Sequence, residues 1–353
     1  MKIVAVGDII VSEALLAQAA SSLNVGEKAE IIEMFWPARD RKDFQRKALN
    51  LEMNGPDAEE IPNELYEEVR DADILLVHFC PVSRRLIEAG KKLKLIGTCR
   101  GGMEHIDVQA ATEKNIPVIH VIRNAEATSD FTVGLMFAET RNIARAHAAL
   151  KEGIWRKEYV NSGYTTAMRE MTVGIVGLGH IGRLVAEKVT GMGMKVIAYD
   201  PYVTQESVDE RGLTVTMKEK EQVFKEADIV SLHLRVTPET EKSINKEIIG
   251  LMKPTAYLIN TSRAKVLDKN ALIEALQNRA IGGAALDVYW DEPLDKDDPI
   301  LKLDNITLTP HNAGNVVDAL PKSPRLLVGV INDFWKTKKS DMVVNLRQIM
   351  LKQ

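Results

Sequence analysis

Cysteine is scarce in this 353-residue chain: Cys80 and Cys99 are the only two, and they form no C-x-x-C pair. A disulfide framework is thereby excluded, and a reducing compartment, the cytoplasm, is expected. Long apolar runs are missing as well. No stretch approaches the roughly 20 consecutive apolar residues that cross a bilayer, and the opening MKIVAVGDIIV turns polar too soon for a secretion signal and reads as a first strand. No membrane partner is expected. Neither charge is in clear excess, with 46 Lys+Arg against 50 Asp+Glu and a formal net charge of −4. A phosphate-binding surface needs a basic surplus, so nucleic acid is not an expected partner. His120, His147 and His180 are not at metal-ligand spacings, and no metal is implied. Short-period repeats and low-complexity tracts are also absent.

What the chain does have is apolar residues, 45% of the total, enough for a sizeable core. Its length suits two domains better than one. Short β-branched runs at 3–6, 74–77, 95–96, 172–176, 196–199, 229–232, 257–260 and 306–309 alternate with longer amphipathic stretches. That alternation predicts an α/β protein with parallel sheets covered by helices on both faces. Two places suggest division. One is 124–130, before a helical pattern over about 130–150 in which Thr128, Ser129 and Asp130 are N-cap candidates and Gly153 the stop. The other is 314–324, before a last helix around 324–335. A central domain of 123–316 is therefore expected, with 1–122 and 317–353 joining as a discontinuous second domain. The charge-rich stretch from 37 to 60 reads as a solvated helix ending at Gly55, without an assigned function.

The segment TVGIVGLGHIG, 172–182, is a strand running into Gly177-x-Gly179-x-x-Gly182 and then a helix to about Met192. The first glycine permits a tight turn, the second lets backbone approach a pyrophosphate, and the third lets helix pack on strand. The helix N-terminus attracts the phosphate charge. A second strand ends in Asp200, 23 positions after Gly177. An acid there can bind both ribose hydroxyls of NAD and would repel the extra phosphate of NADP.

Three later segments place reactive side chains just beyond apolar runs: Arg263 after LINTS, Glu292 after ALDVYWD, and His311 after LTP. The carboxyl ends of parallel strands converge on one edge, where ligands bind. An arginine, an acid and a histidine can therefore share a cleft with the glycine loop.

With these residues the chain strongly resembles the D-isomer-specific 2-hydroxyacid dehydrogenase family, which includes phosphoglycerate dehydrogenases and glyoxylate/hydroxypyruvate reductases. The resemblance extends over nearly the whole chain. It rests on the glycine loop, ADIVSLH at 227–233, MKP at 252–254 leading to Asn260-Thr-Ser-Arg263, Leu286-Asp-Val288 with Glu292-Pro293, and Pro310-His311. It implies two doubly wound domains, a Rossmann-type nucleotide domain and a flavodoxin-like substrate domain. It also implies NAD as cofactor, a 2-keto or 2-hydroxy acid as substrate, and a homodimer joined through 130–165. By that resemblance the cofactor lies against Gly177, Gly179, His180, Ile181, Gly182, Asp200, His233, Leu234, Thr261, Ser262, Arg263, Asp287, His311 and Gly314. Arg263 would present a charged fork to the substrate carboxylate and carbonyl. His311 would pass the proton, and Glu292 would orient its ring. Some relatives of the fold are cofactor-controlled corepressors, but retention of all three catalytic residues speaks for an enzyme. The chain leaves no room for a separate amino-acid-sensing domain, so feedback control of that kind is not expected.

The departures cluster in the amino-terminal part. Thr98-Cys-Arg-Gly-Gly-Met-Glu-His-Ile-Asp107 resembles the family's substrate-carboxylate loop, R-x-G-x-G followed by N-[IV]-D. It is two residues shorter, however, and has His105 for the asparagine. Gly101 and Gly102 still permit close backbone approach. His78 and Phe79 occupy the place of a second substrate-facing loop. Arg123 stands where the family usually has glycine, and is a candidate reader of a second anionic group such as a phosphate or another carboxylate. Arg235 replaces a common proline.

Overall fold

A computed structural model describes residues 1–24 and 29–350. The chain divides into two compact units, Met1–Arg123 with Val316–Gln353, and Asn124–Asn315.

The first unit is built on five parallel strands, β1 (Lys2–Gly7), β2 (Glu30–Phe35), β3 (Ile74–Val77), β4 (Leu95–Thr98) and β5 (Val118–His120), in the order β2-β1-β3-β4-β5. This is the flavodoxin-like order, which reverses between β1 and β3. Alternate residues of a strand point to opposite faces. Ile3, Ala5, Ile74 and Leu76 accordingly pack with Leu16, Leu327, Ile331 and Phe334, while Val4, Val6, Leu75 and Val77 pack with Phe44, Leu51, Leu65 and Leu86. The helix Ala319–Thr337 thus lies on the amino-terminal sheet, which is why the unit is discontinuous in sequence. This helix begins earlier than its prolines suggest. Pro324 lacks the N–H that would bond the Leu320 carbonyl, and the Ser323 hydroxyl donates to that carbonyl instead at 2.7 Å.

The charge-rich stretch forms the helix Arg41–Asn54, capped by Asp40 and ended by Gly55 at φ 84°. The expectation of a solvated helix needs correction: Phe44, Ala48 and Leu51 form a buried stripe at i, i+4, i+7. Strands β2 and β5 were not expected from the sequence. β2 is an edge strand with only partial burial, and β5 is three residues long.

The second unit has seven parallel strands, β6 (Thr172–Val176), β7 (Lys195–Tyr199), β8 (Thr216–Met217), β9 (Ile229–Leu232), β10 (Tyr257–Asn260), β11 (Gly283–Leu286) and β12 (Ile306–Leu308), ordered β12-β11-β10-β9-β6-β7-β8. The order reverses between β6 and β9, the crevice where doubly wound sheets take ligands. The helical pattern of 130–150 resolves into two helices, Ala125–Thr140 and Ile143–Lys151, broken at Asn142 with φ 56°. Thr128 and Ser129 do not cap the first helix but lie buried within it. The Ser129 hydroxyl donates back to the Glu126 carbonyl, and Thr132 to that of Thr128, the competing use of such side chains inside helices.

Candidate active site

The glycine loop follows β6. Gly177 has φ 94°, and a Cβ there would meet the His233 carbonyl oxygen at 2.6 Å, so only glycine lets the β6 and β9 ends close on each other. A Cβ on Gly182 would meet the Gly177 carbonyl oxygen at 2.2 Å. Gly179 differs: it is exposed, with nothing within 4 Å of where a Cβ would stand. It is the N-cap of the helix His180–Gly191, and no side chain caps it. A helix start without a side-chain cap is the kind of place that attracts an anion. At the end of β7, Asp200 accepts from the amides of Leu178 and Tyr202, at 2.8 and 2.9 Å, which fixes its carboxylate beside the loop. Burial pushes His233 down to about 4, so its ring is neutral, and its Nε2 lies 2.9 Å from the Ser231 hydroxyl. An open Gly179, an uncapped helix start and an acid on the next strand fit a dinucleotide.

Beyond β10 the turn to Arg263 is tied by Asn260, which is fully buried. Its Oδ1 accepts from the Ser262 amide and hydroxyl at 3.0 and 2.8 Å, and its Nδ2 donates to the Arg263 carbonyl at 3.0 Å. Arg263 itself is exposed, donating only to the Ser262 carbonyl. Thr261 is buried, its hydroxyl 2.7 Å from that of Thr132. Asp287, past β11, is also fully buried. It accepts from the Thr309 hydroxyl at 2.6 Å and from the amides of Asn312 and Ala313 at 2.9 and 2.8 Å. The side chain expected against the cofactor is thus occupied in pinning the loop that carries His311. Gly314 packs on Asn124, whose Nδ2 would be 2.4 Å from an added Cβ.

His311 sits on that loop with φ 54°, a conformation that a non-glycine residue keeps only where its surroundings hold it. Its Nδ1 is 2.7 Å from Glu292 Oε2, and the two side chains are 51% and 38% exposed. Glu292 Oε1 accepts from the Tyr289 amide at 3.0 Å. Burial alone would raise the Glu292 carboxyl. The hydrogen bonds from His311 and Tyr289, with the charges of His311 and Arg263, hold it below its usual range. Glu292 and His311 line a cleft of about 550 Å³ with Tyr289, Leu294, Leu301 and Pro310. Unit two therefore joins Glu292 to His311, with Arg263 near enough for its charge to reach Glu292.

The first unit's strand ends hold a different set of residues. His78 and Phe79, expected to face a substrate, are turned inward, and that expectation is corrected. His78 is 1% exposed, with Nδ1 2.8 Å from Asp8 Oδ2. Asp8 also accepts from the amides of Ile10, Val11 and Phe79. Burial would raise its carboxyl, but the His78 bond and charge and these amides hold it low. The Phe79 ring packs edge-on to Phe44 and carries the Arg100 guanidinium 3.5 Å above its centroid. His105, the departure from asparagine, is fully buried with Nε2 3.0 Å from the Thr98 hydroxyl, and burial pushes it well below its ordinary value. Gly101 is exposed and Gly102 half-exposed. Arg123 is half-buried. Arg235 is exposed, and nothing in the structure explains it. Sequence reasoning missed Asp8 and the holding roles of Asn260 and Asp287. Their only signal was an acid or amide at a strand end, which usually marks a turn.

Comparison with known proteins agrees with this construction. The family profile described as "D-isomer specific 2-hydroxyacid dehydrogenase, NAD binding domain" matches residues 133–313. The chain is 37% identical over 288 residues to a D-3-phosphoglycerate dehydrogenase of Methanocaldococcus jannaschii, covering 81% of this chain and 54% of that one. It thus spans about half the length of such relatives. A glyoxylate reductase of Korarchaeum cryptofilum is 38% identical over 254 residues, covering 70% of this chain and 75% of the relative. Among solved structures, a D-lactate dehydrogenase with NAD+ from Lactobacillus jensenii superposes with TM-score 0.64 at 25% identity, over 98% of this chain and 99% of that one. Among the described residues no helix is long and apolar enough to cross a membrane. On the profile match and these relatives, the chain belongs to the D-isomer specific 2-hydroxyacid dehydrogenase family.

Proposed function

We propose that this protein is an NAD-dependent oxidoreductase interconverting a D-2-hydroxy acid and its 2-keto acid. The observation that carries the reading is the 2.7 Å contact of His311 Nδ1 with Glu292, which leaves Nε2 for a substrate in the open cleft. Bound NADH supplies the hydride to the keto carbon, and NAD accepts it in the reverse direction. The imidazolium of His311 donates its Nε2 proton to the carbonyl oxygen as that oxygen becomes an alkoxide, and neutral His311 is the base in reverse. Glu292 keeps Nδ1 occupied and the ring oriented. Arg263 orients the carboxylate and carbonyl. The unit Asn124–Asn315 serves as the nucleotide domain, with the Gly177–Gly179–Gly182 cradle for the pyrophosphate and Asp200 for the ribose. The discontinuous unit serves as the substrate domain, with the amides of Gly101 and Gly102 receiving the carboxylate.

The test is NADH oxidation, followed by absorbance, over glyoxylate, hydroxypyruvate, pyruvate, phosphohydroxypyruvate and branched keto acids. Turnover with at least one acid is expected. His311→Asn should cut kcat by about 100-fold or more while NADH binding persists. Normal turnover in that variant would refute the role. A homodimer completes the proposal, supported by the exposed Ile143, Leu150, Ile154 and Trp155 along and after the helix Ile143–Lys151. A monomer in size-exclusion chromatography would refute it. Two buried, unpaired cysteines suit the cytoplasm, where cell fractionation should find the protein.

A further inference from the structure

Two arginines stand at the carboxyl edge of the five-stranded sheet, and their partners differ. Arg100 is paired through Nη2 and its ring-facing plane, while its Nη1 is buried without a hydrogen-bond partner among the described residues. Its guanidinium lies on the Phe79 ring and bonds Glu52 at 2.7 Å, with Glu104 at 3.8 Å. Arg123 follows β5 two residues after Val121, whose amide donates to the Arg100 carbonyl at 3.3 Å and whose own carbonyl would be 3.8 Å from a Cβ on Gly101. Arg123 is therefore tethered beside the Arg100–Gly101 turn.

Arg123 is half-buried yet makes no hydrogen bond or ion pair with any described residue. Two other arginines withdrawn from solvent each hold a carboxylate: Arg100 has Glu52 at 2.7 Å and Arg145 has Glu139 at 2.6 Å. The groups that act on Arg123 are its own desolvation, the like charge of Arg100 and the thiol of Cys99. Burial pushes that thiol up to about 12, so it carries no negative charge to offset the arginine. A guanidinium cannot shed its proton to escape such a place. An uncompensated, partly desolvated cation beside a second cation is costly unless an anion completes it.

We propose that Arg123 recognises a second anionic group on the substrate, a carboxylate or phosphoryl group beyond the keto carbon, and so makes the enzyme selective for dianionic 2-keto acids. The inference rests on the dehydrogenase reading above and names its substrate class. Arg100, paired with Glu52 and stacked on Phe79, keeps the loop in shape, and Arg123 is the arginine there without a carboxylate. Its planar fork suits bidentate binding of either group.

The test compares kcat/KM with NADH for monoanionic pyruvate and hydroxypyruvate against dicarboxylic oxaloacetate and 2-oxoglutarate and phosphorylated phosphohydroxypyruvate. The wild type should prefer the members of one dianionic arm over the monoanions by about tenfold or more, and the arm that does so tells carboxylate from phosphate. Arg123→Met should lower that ratio by about tenfold, chiefly through KM, and Arg123→Lys should restore part of it. In the wild type alone, raising salt from about 50 to about 500 mM should lower kcat/KM more for the preferred dianion than for a monoanion. This keeps the test decisive should the Met variant fail to fold. A wild-type ratio near one in both arms, equal salt dependence, or a ratio unmoved in a folded Arg123→Met protein overturns the inference alone. No turnover with any of the five acids overturns this inference, and the dehydrogenase reading falls with it when glyoxylate and the branched keto acids are inert as well.

Discussion

At the carboxyl edge of the seven-stranded sheet the reactive groups are open and their supports are buried. Arg263, Glu292 and His311 are exposed, while Asn260 and Asp287 have no exposure at all and tie the turns on which those groups stand. At the edge of the five-stranded sheet the polar side chains are themselves the buried layer. Asp8 is closed on His78, Arg100 on Phe79 and Glu52, and His105 on Thr98, so that what reaches the surface there is Gly101 and, in part, Gly102 and Arg123. The contrast shows two ways of making a rigid edge. One fixes each turn through a single buried acceptor and lets the working side chain extend. The other interlocks charged side chains and offers backbone.

The largest effect should come from cutting one of those single acceptors. Asp287→Ala leaves the Thr309 hydroxyl and the Asn312 and Ala313 amides without their acceptor. An unsatisfied buried donor costs about 1–3 kcal/mol; the Ala313 amide is buried and the other two donors are less so, so a loss of about 3 kcal/mol is expected, with kcat down by about 100-fold as His311 loses its placement. Thermal unfolding and steady-state kinetics measure both. A variant that melts and turns over normally would mean that the loop holds itself.

A smaller effect separates the cradle's own parts. Gly182→Ala puts a Cβ 2.2 Å from a backbone oxygen, so the loop must open and both melting temperature and NADH affinity should fall. Gly179→Ala meets nothing. The protein alone should melt as the wild type does, while its NADH Kd rises about tenfold or more because the methyl stands where phosphate approaches. Equal loss of stability in the two variants would show that Gly179 is a packing glycine like its neighbours.

The same contrast explains what was legible in the sequence. The glycine loop, Asp200, Arg263, Glu292 and His311 are readable because backbone geometry and strand-end position demand those residue types at those spacings. Strands are readable where a buried run is four or more residues long, as in β3, β9 and β10, and unreadable in β5, which is only three residues, or where, as in β2, an edge strand mixes Glu30 and Glu33 with apolar residues. The helix boundary near 125 was hidden because Thr128 and Ser129 look like caps and act as interior back-bonding residues. The amino-terminal edge was the least legible, since a pair such as Asp8–His78 spans 70 positions and leaves no local pattern. His78 therefore read as a substrate contact, and the helix holding Glu52 as mere solvated surface.

The smallest effect tests that interlocked layer. Asp8→Asn keeps the shape but removes the charge that His78 and three backbone amides address. Hydrogen bonds to a charged group contribute about 1.5–3 kcal/mol, and a neutral amide retains part of that, so a loss of about 2 kcal/mol is expected near neutral pH. The Asp8 carboxyl is held below its ordinary value in the folded protein. Its contribution is therefore complete above the unfolded value of about 3.9 and disappears as pH falls through the lower folded one. Urea unfolding of wild type and Asp8→Asn should show a stability gap at pH about 7 that narrows below pH about 4, because acid removes from the wild type what the variant already lacks. A gap that stays constant into acid would mean that the pair is held by shape and neutral hydrogen bonds, and that the buried edge of the first unit does not depend on its charge.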